Sequence, residues 1–495
     1  MDAHCRRLGW LVPLALLCVL GVPAGGAWAA GVADACAACH GPAGQGTVAL
    51  GAPRLAGLPA PYLQRQLQAF ARGTRAGAVM GPIARALSAQ ESAQLAARYA
   101  RLPGLPALAS AGHPLAAGRG GSTDSRTELL ALGAQLATSG RWSEGLPACT
   151  QCHGRSGSGV GSDFPALAGQ PAVYLEGQLT AWQRGLRDPG PMGLMGAIAN
   201  KLSALDIRAA AAYFAAGSGA GTESPPLKDP FERVVQLGQR IFDAPASYAQ
   251  AYVGNRLRCS SCHLDSGRRA DSAPLWAAYV AYPAYRAKNG HVNTYAERLQ
   301  GCFRYSMNGR PPPLGSPVLV ALETYSYWLA RGMRVDPHLP GRGYPRVPRP
   351  ALPADFERGR RVYAQHCALC HGSNGAGQDA GDGSMAFPAL WGDGSFNWGA
   401  GMADVNNAAG FIQANMPLSH DHSLSDQQAW DVALFMDAHE RPQDPRFEGS
   451  VQATRARFHD TPDSMYGRRI GGHVLGVGAE PPGRAFGARV PVSQN

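Results

Sequence analysis

At 495 residues and 51.9 kDa the chain is too long for one small domain and has material for several. Apolar residues make up 45% and charged residues 16%, beside Gly 63 and Pro 39, which excludes wholesale disorder but predicts many turns and linkers. The net charge of +10 is unevenly placed: residues 228–350 carry 17 Lys+Arg against 8 Asp+Glu, and residues 351–440 carry 3 against 11. We read the basic stretch as a field for small anions and exclude a nucleic-acid face.

The chain opens with Arg6-Arg7, an apolar run from Leu8 to Val22, and Ala27-Trp28-Ala29, the pattern of a cleaved export signal over residues 1–30. The run is too short and wrongly flanked for a retained span, and Leu17 stands where lipid attachment at Cys18 would need a small residue. The expectation is a soluble periplasmic protein with no membrane span in the mature chain.

Eight of the 11 cysteines fall in four copies of one pattern: Cys36-Ala-Ala-Cys39-His40, Cys149-Thr-Gln-Cys152-His153, Cys259-Ser-Ser-Cys262-His263 and Cys367-Ala-Leu-Cys370-His371. Chance supplies only about 0.007 copies at this composition, so the motifs are read as c-type haem attachment sites. Four covalent haem c groups are expected, with the two cysteines of each motif bonded to the ring and His40, His153, His263 and His371 on the iron. The Gly-rich loops that follow the motifs come after a haem signature rather than a strand, which excludes phosphate cradles.

The first two units repeat each other. Pro53 to Phe70 matches Pro165 to Trp182 at an offset of 112, and Met80-Gly-Pro-Ile-Ala matches Met195-Gly-Ala-Ile-Ala. Ser88 and Ser203 are predicted to cap closing helices over residues 89–102 and 204–216. Strand signals are weak throughout. The predicted architecture is all-α: four class I cytochrome c-type domains in tandem, over residues 31–118, 119–222, 223–342 and 343–440. Linkers are expected at 118–125, 217–226 and 341–353, and a disordered tail over 441–495, where Arg, Gly and Pro follow no period.

The distal iron ligand distinguishes the units. Met80 lies 40 residues past His40, and Met195 lies 42 past His153 with Met192 as a competitor. A thioether closes the iron to substrate and raises its potential, so these units are read as electron carriers. In the fourth unit Met416, 45 past His371, is favoured over Met402 and Met385. The third unit departs from this pattern, because Cys302 lies 39 past His263, with Met307 as the alternative at 44. A thiolate is both a strongly donating ligand and a nucleophile toward sulfur. Arg298 is one helical turn before it, and Arg286, Lys288, Arg304 and Arg310 are near in sequence, a set suited to holding a dianion. Cys302, Arg298, Arg286 and Arg310 are the predicted catalytic residues.

The stretches Tyr282-Pro-Ala-Tyr-Arg286, Glu297-Arg-Leu-Gln-Gly-Cys302-Phe-Arg-Tyr-Ser-Met-Asn-Gly309, Phe387-Pro-Ala-Leu-Trp-Gly-Asp-Gly-Ser-Phe-Asn397 and Phe411-Ile-Gln-Ala-Asn-Met-Pro417 occur in that order. Over about residues 225–440 the chain resembles the dihaem thiosulfate dehydrogenases. That resemblance implies a His/Cys active-site haem at His263 and Cys302 and an electron-exit haem at His371 and Met416. Some members place Lys just before this Met, where the present chain has Asn415. Residues 31–220 resemble the dihaem class I cytochromes that accept electrons from those enzymes, which implies a fusion with the acceptor first. The implied activity joins two thiosulfates into tetrathionate, possible in either direction, with electrons leaving to a periplasmic cytochrome or a membrane terminal oxidase. The alternatives are a non-catalytic multihaem wire and a sulfur-oxidation cytochrome acting on carrier-protein-bound thiosulfate.

Overall fold

The computed structural model describes residues 35–104, 123–217 and 229–479, apart from residues 337 and 382. The export signal, most of the first two linkers and residues 480–495 lie outside the described residues.

Each unit places short helices around its haem motif. In the first, residues 35–40 form a helical turn carrying the motif, followed by α1 (Ala60–Arg72), α2 (Met80–Ala86) and α3 (Ala89–Arg101). The second runs α4 (Thr123–Thr138), the motif helix Cys149–His153, α5 (Ala172–Gln183), α6 (Leu194–Ala199) and α7 (Ala204–Ala215). The third contains α8 (Pro230–Asp243), α9 (Tyr295–Tyr305) and α10 (Pro317–Ala330). The fourth contains α11 (Phe356–His366), α12 (Val405–Asn415) and α13 (Asp426–Asp437). Strand is confined, among the described residues, to three two-stranded ribbons, of which β1 (Ala284–Arg286) and β2 (His291–Asn293) belong to the third unit.

Local sequence accounts for the helix starts. Ser88 with Glu91, Ser203 with Asp206, Thr294 with Glu297 and Ser425 with Gln428 form reciprocal capping boxes, each satisfying two otherwise unpaired backbone donors. Both predicted closing helices of the repeat are thus observed, capped by Ser88 and Ser203 as expected. One crossing recurs in three units: α4 packs on α7, α8 on α10 and α11 on α13. At each crossing a glycine lets two backbones touch. A Cβ on Gly133, Gly238 or Gly359 would strike the carbonyl of Ala209, Ala321 or Asp431 respectively.

Two expectations are corrected. Residues 341–353 are not a free linker. The carbonyls of Gly341 and Gly343 accept from the amides of Asp271 and Ala273, Val347 is buried, and Pro348 accepts from the Trp430 indole. Nor are residues 441–479, the described part of the expected tail, disordered. They form α14 (Val451–Phe458) and a ribbon, and bury Gln443, Asp444, Thr454, His459, Tyr466 and Leu475 against the fourth unit. The reason is that this segment is anchored by polar groups rather than by an apolar stripe. Asp444 accepts from Arg446 at 2.6 Å and His459 at 2.9 Å, and Glu440 accepts from the Gly476 amide. Burial works against the Asp444 carboxylate, but these hydrogen bonds outweigh it and hold its pKa below the ordinary value.

Candidate functional site

The four motif histidines share one geometry. Nδ1 of His40, His153, His263 and His371 lies 2.8, 2.8, 2.7 and 2.9 Å from the carbonyls of Pro53, Pro165, Ala273 and Pro388. A carbonyl only accepts, so Nδ1 carries the proton and Nε2 keeps its lone pair for a metal. Burial lowers the pKa of each imidazole, that of His263 to about 4, which keeps the rings neutral as ligation requires.

The surroundings also fit a porphyrin. A cavity of about 550 Å³ is lined by Cys149, Cys152, His153, Met192 and Met195 from the second unit and by Cys367, Cys370, His371, Met385, Met402 and Met416 from the fourth. Phe396, on its wall, carries the guanidinium of Arg441 at 4.4 Å. Arg441 Nε and Nη1 and Trp398 Nε1 are buried donors without a partner among the described residues. Such orphans suit the carboxylate edge of a haem. Met80, half-buried, begins α2.

In the third unit α9 carries Arg298 and Cys302 on one face, and Arg298 Nη1 reaches Cys302 Sγ at 2.9 Å. Cys302 raises the Arg298 pKa despite burial, and it lies near enough to Cys259 and Cys262 to influence both electrostatically. Met307 is instead packed in the hydrophobic core. Asn415, fully buried, donates to the Asp271 and Phe411 carbonyls and so ties the fourth unit to the third.

The other predicted cations divide. Arg286, on β1, donates to the Tyr282 hydroxyl at 2.8 Å. Lys288 lies over the Tyr305 ring at 3.9 Å and donates to the Gly399 carbonyl. Burial, followed by the charges of Arg446 and Arg298, lowers the Lys288 pKa to about 7, and Arg286 adds to the effect. Arg298, Lys288 and Arg286 therefore share one field. Arg310 is exposed and engaged elsewhere, donating to the Ala251 carbonyl and covering Tyr252, and Arg304 is exposed as well. The sequence reading missed Arg446, which donates to the Lys288 carbonyl at 3.4 Å and lies over Tyr305 from the segment taken for a disordered tail. Charge spacing alone carries no signal for a partner 158 residues away.

Buried neutral imidazoles beside paired cysteines, in helical units, with one further cysteine sulfur held by a buried arginine, define a multihaem c-type cytochrome oxidoreductase. Residues 29–97 match the cytochrome c family, residues 243–335 the SoxA/TsdA cytochrome c domain, and residues 354–436 the family described as cytochrome c oxidase, cbb3-type, subunit III. The chain belongs to the thiosulfate dehydrogenase family. It is 57% identical over 273 residues to the thiosulfate dehydrogenase of Thiomonas intermedia (strain K12), covering 54% of this chain and 87% of that one. To the thiosulfate dehydrogenase electron acceptor of the same organism it is 42% identical over 205 residues, 41% of this chain and 88% of that one. The solved structure of the thiosulfate dehydrogenase TsdBA of Marichromatium purpuratum in its as-isolated form superposes with a TM-score of 0.82 and 46% identity, over 90% of this chain and 96% of that chain. The all-α cytochrome c architecture expected from the sequence is borne out, as is the acceptor-first fusion.

Proposed function

We infer that the chain is a periplasmic tetrahaem thiosulfate dehydrogenase, in which two thiosulfates are joined into tetrathionate at the third unit. The observation that carries this reading is the Arg298–Cys302 contact at 2.9 Å in the third unit. A pure electron carrier gains nothing from a nucleophilic sulfur held by a buried cation. Cys302 forms a sulfur–sulfur bond with one thiosulfate, a step that gives up two electrons, and a second thiosulfate then attacks that adduct, releasing the Cys302 thiolate and forming tetrathionate. Haem c, when bound, supplies the one-electron centres that take up those electrons. Arg298, Lys288, Arg286 and Arg446 offset the repulsion between two dianions, the main electrostatic barrier to bringing them together. Arg310, predicted with them, is held on the Ala251 carbonyl and over Tyr252 and stands outside this group.

The units are residues 31–118, 119–222 and 223–342, with the fourth extended from 343 to 479 by the folded segment. Cys36, Cys39, Cys149, Cys152, Cys259, Cys262, Cys367 and Cys370 hold the haems. The proposed iron ligand pairs are His40 and Met80, His153 and Met195, His263 and Cys302, and His371 and Met416. The relation of the second and fourth units supports electron flow from the third unit through the fourth to the N-terminal pair. Phe164 and Phe387 pack at 5.0 Å between ring centroids, and Cys152 lies close enough to Cys370 to feel its charge. From there electrons pass to a periplasmic cytochrome or a membrane terminal oxidase. No helix among the described residues is long and apolar enough to cross a membrane.

The test is thiosulfate-dependent reduction of an artificial acceptor by the purified haem-loaded chain, with tetrathionate measured as product. Activity is expected to vanish in Cys302→Ser together with the low-spin thiolate-type EPR signal. Full activity in that variant, or no reduction by the wild type, refutes the reading.

A further inference from the structure

The two N-terminal units meet on a pseudo-twofold centre built from arginine. Arg75 and Arg187 pair as an antiparallel backbone bridge, flanked by the Ala76 amide donating to Leu186 and the Asp188 amide donating to Thr74. Both side chains are buried, and each crosses into the other repeat. Arg75 Nη2 donates to Tyr174 Oη at 3.0 Å and to Gln178 Oε1 at 2.7 Å. Arg187 Nη2 donates to Gln66 Oε1 at 3.0 Å and meets Tyr62 Oη at 3.5 Å. The pairs Tyr62/Tyr174, Gln66/Gln178 and Arg75/Arg187 are each 112 positions apart, the offset of the repeat itself.

Amide and phenol oxygens satisfy hydrogens but do not neutralise charge, and buried guanidinium groups ordinarily face an anion. The nearby carboxylates are committed elsewhere: Asp188 is exposed and accepts from the Gly190 amide, and Asp163 pairs with Arg65 at 2.7 Å. Both arginines line the same cavity as Cys149, Cys152 and His153. The anion missing from this centre is therefore one that arrives with the group the cysteines hold.

We propose that Arg75 and Arg187 form one shared carboxylate site, which gathers propionates from both N-terminal haems at the interface of the two units. The proposal rests on haem attachment at the first two motifs, which a pyridine-haemochrome count of the purified chain establishes separately. Its consequence is electrostatic. Each guanidinium favours the reduced state of both haems, whichever repeat it belongs to, so the two arginines act on one pair of centres.

The experiment is a potentiometric titration of the full haem-loaded chain, resolved into its one-electron steps. In Arg75→Gln two of the steps are expected to move to lower potential, and in Arg187→Gln the same two. Arg75→Lys, which keeps the charge, is expected to restore both. Arg101→Gln, which removes an exposed guanidinium of the same unit, is expected to move neither. A haemochrome count for each variant separates loss of haem from a shift in potential. The proposal is overturned if each glutamine variant moves a different single step, if no step moves, or if Arg101→Gln gives the same shift. It is also overturned if wild-type potentials move saturably with added sulfate at constant ionic strength, which would make the site one for free anions.

Discussion

Replacing Arg298 by Gln removes the one charge in direct contact with the Cys302 sulfur while keeping a side chain of similar reach. At 2.9 Å this is a charge-assisted contact within a buried site. Hydrogen bonds to charged groups contribute about 1.5–3 kcal/mol, and the partner left behind loses its compensation as well. With tenfold in rate per about 1.4 kcal/mol, a loss of about 2–3 kcal/mol lowers kcat/KM for thiosulfate by about 30- to 150-fold. Arg298→Lys keeps the charge but not the planar fork, and is expected to fall between the two. Steady-state thiosulfate oxidation with an artificial acceptor measures both, with haem content and the EPR signal of the third centre recorded alongside. An Arg298→Gln enzyme within threefold of wild type, with its haem complement intact, would refute the role given to this residue.

Lys288 makes a pH prediction. Its pKa near 7 means the ammonium is charged below that value and neutral above it, so KM for thiosulfate is expected to rise as pH increases through 7. Lys288→Met should flatten that profile, and an unchanged profile would count against the shared field. The folded segment after residue 440 makes a stability prediction. Asp444 is fully buried between Arg446 and His459, and removing one partner from such a pair costs about 3–5 kcal/mol, so Asp444→Ala should lower Tm clearly while haem content stays at wild type. A disordered tail would leave Tm unmoved.

The local parts of this molecule were legible in the sequence because they depend on near neighbours. The haem motifs, the capping serines and the Arg298–Cys302 pair are set by spacings of two to four residues, and each stands in the structure where those spacings put it. The helix crossings were less visible: nothing in the local pattern distinguishes Gly359, which touches Asp431, from a loop glycine. The segment after residue 440 was misread for a related reason. Its order comes from Asp444, Glu440 and Tyr466 meeting partners in three dimensions, and a composition of Arg, Gly and Pro carries the same appearance with or without those partners. Asn415 shows the complementary case. As a position it marked only the absence of Lys, while in the fold it spends its amide on the Asp271 carbonyl and joins two units.

The reversal of charge between the third and fourth units acquires a different meaning from these contacts. Arg256 pairs with Asp379, Arg269 with Asp421 at 2.6 Å, and Arg349 with Asp463 at 2.6 Å. The first two pairs set part of the basic excess against acidic groups of the neighbour, while Arg349 and Asp463 pair within the fourth unit. Asp379 and Arg349 are largely solvated, so their two pairs contribute about 0–1 kcal/mol each and serve mainly to set register. The Arg269–Asp421 pair is more enclosed, and Arg269 also covers Trp142 of the second unit at 5.3 Å, so it stands where three units converge. The cations left for an anion are those without such a partner around Cys302: Arg298, Arg286 and Lys288. Arg446 shares its charge with Asp444, yet its own charge is the largest electrostatic influence on Lys288 after burial. The field at the sulfur therefore comes from a few residues brought together by α9, the β1–β2 ribbon and the folded segment beyond residue 440, and not from the net charge of the unit.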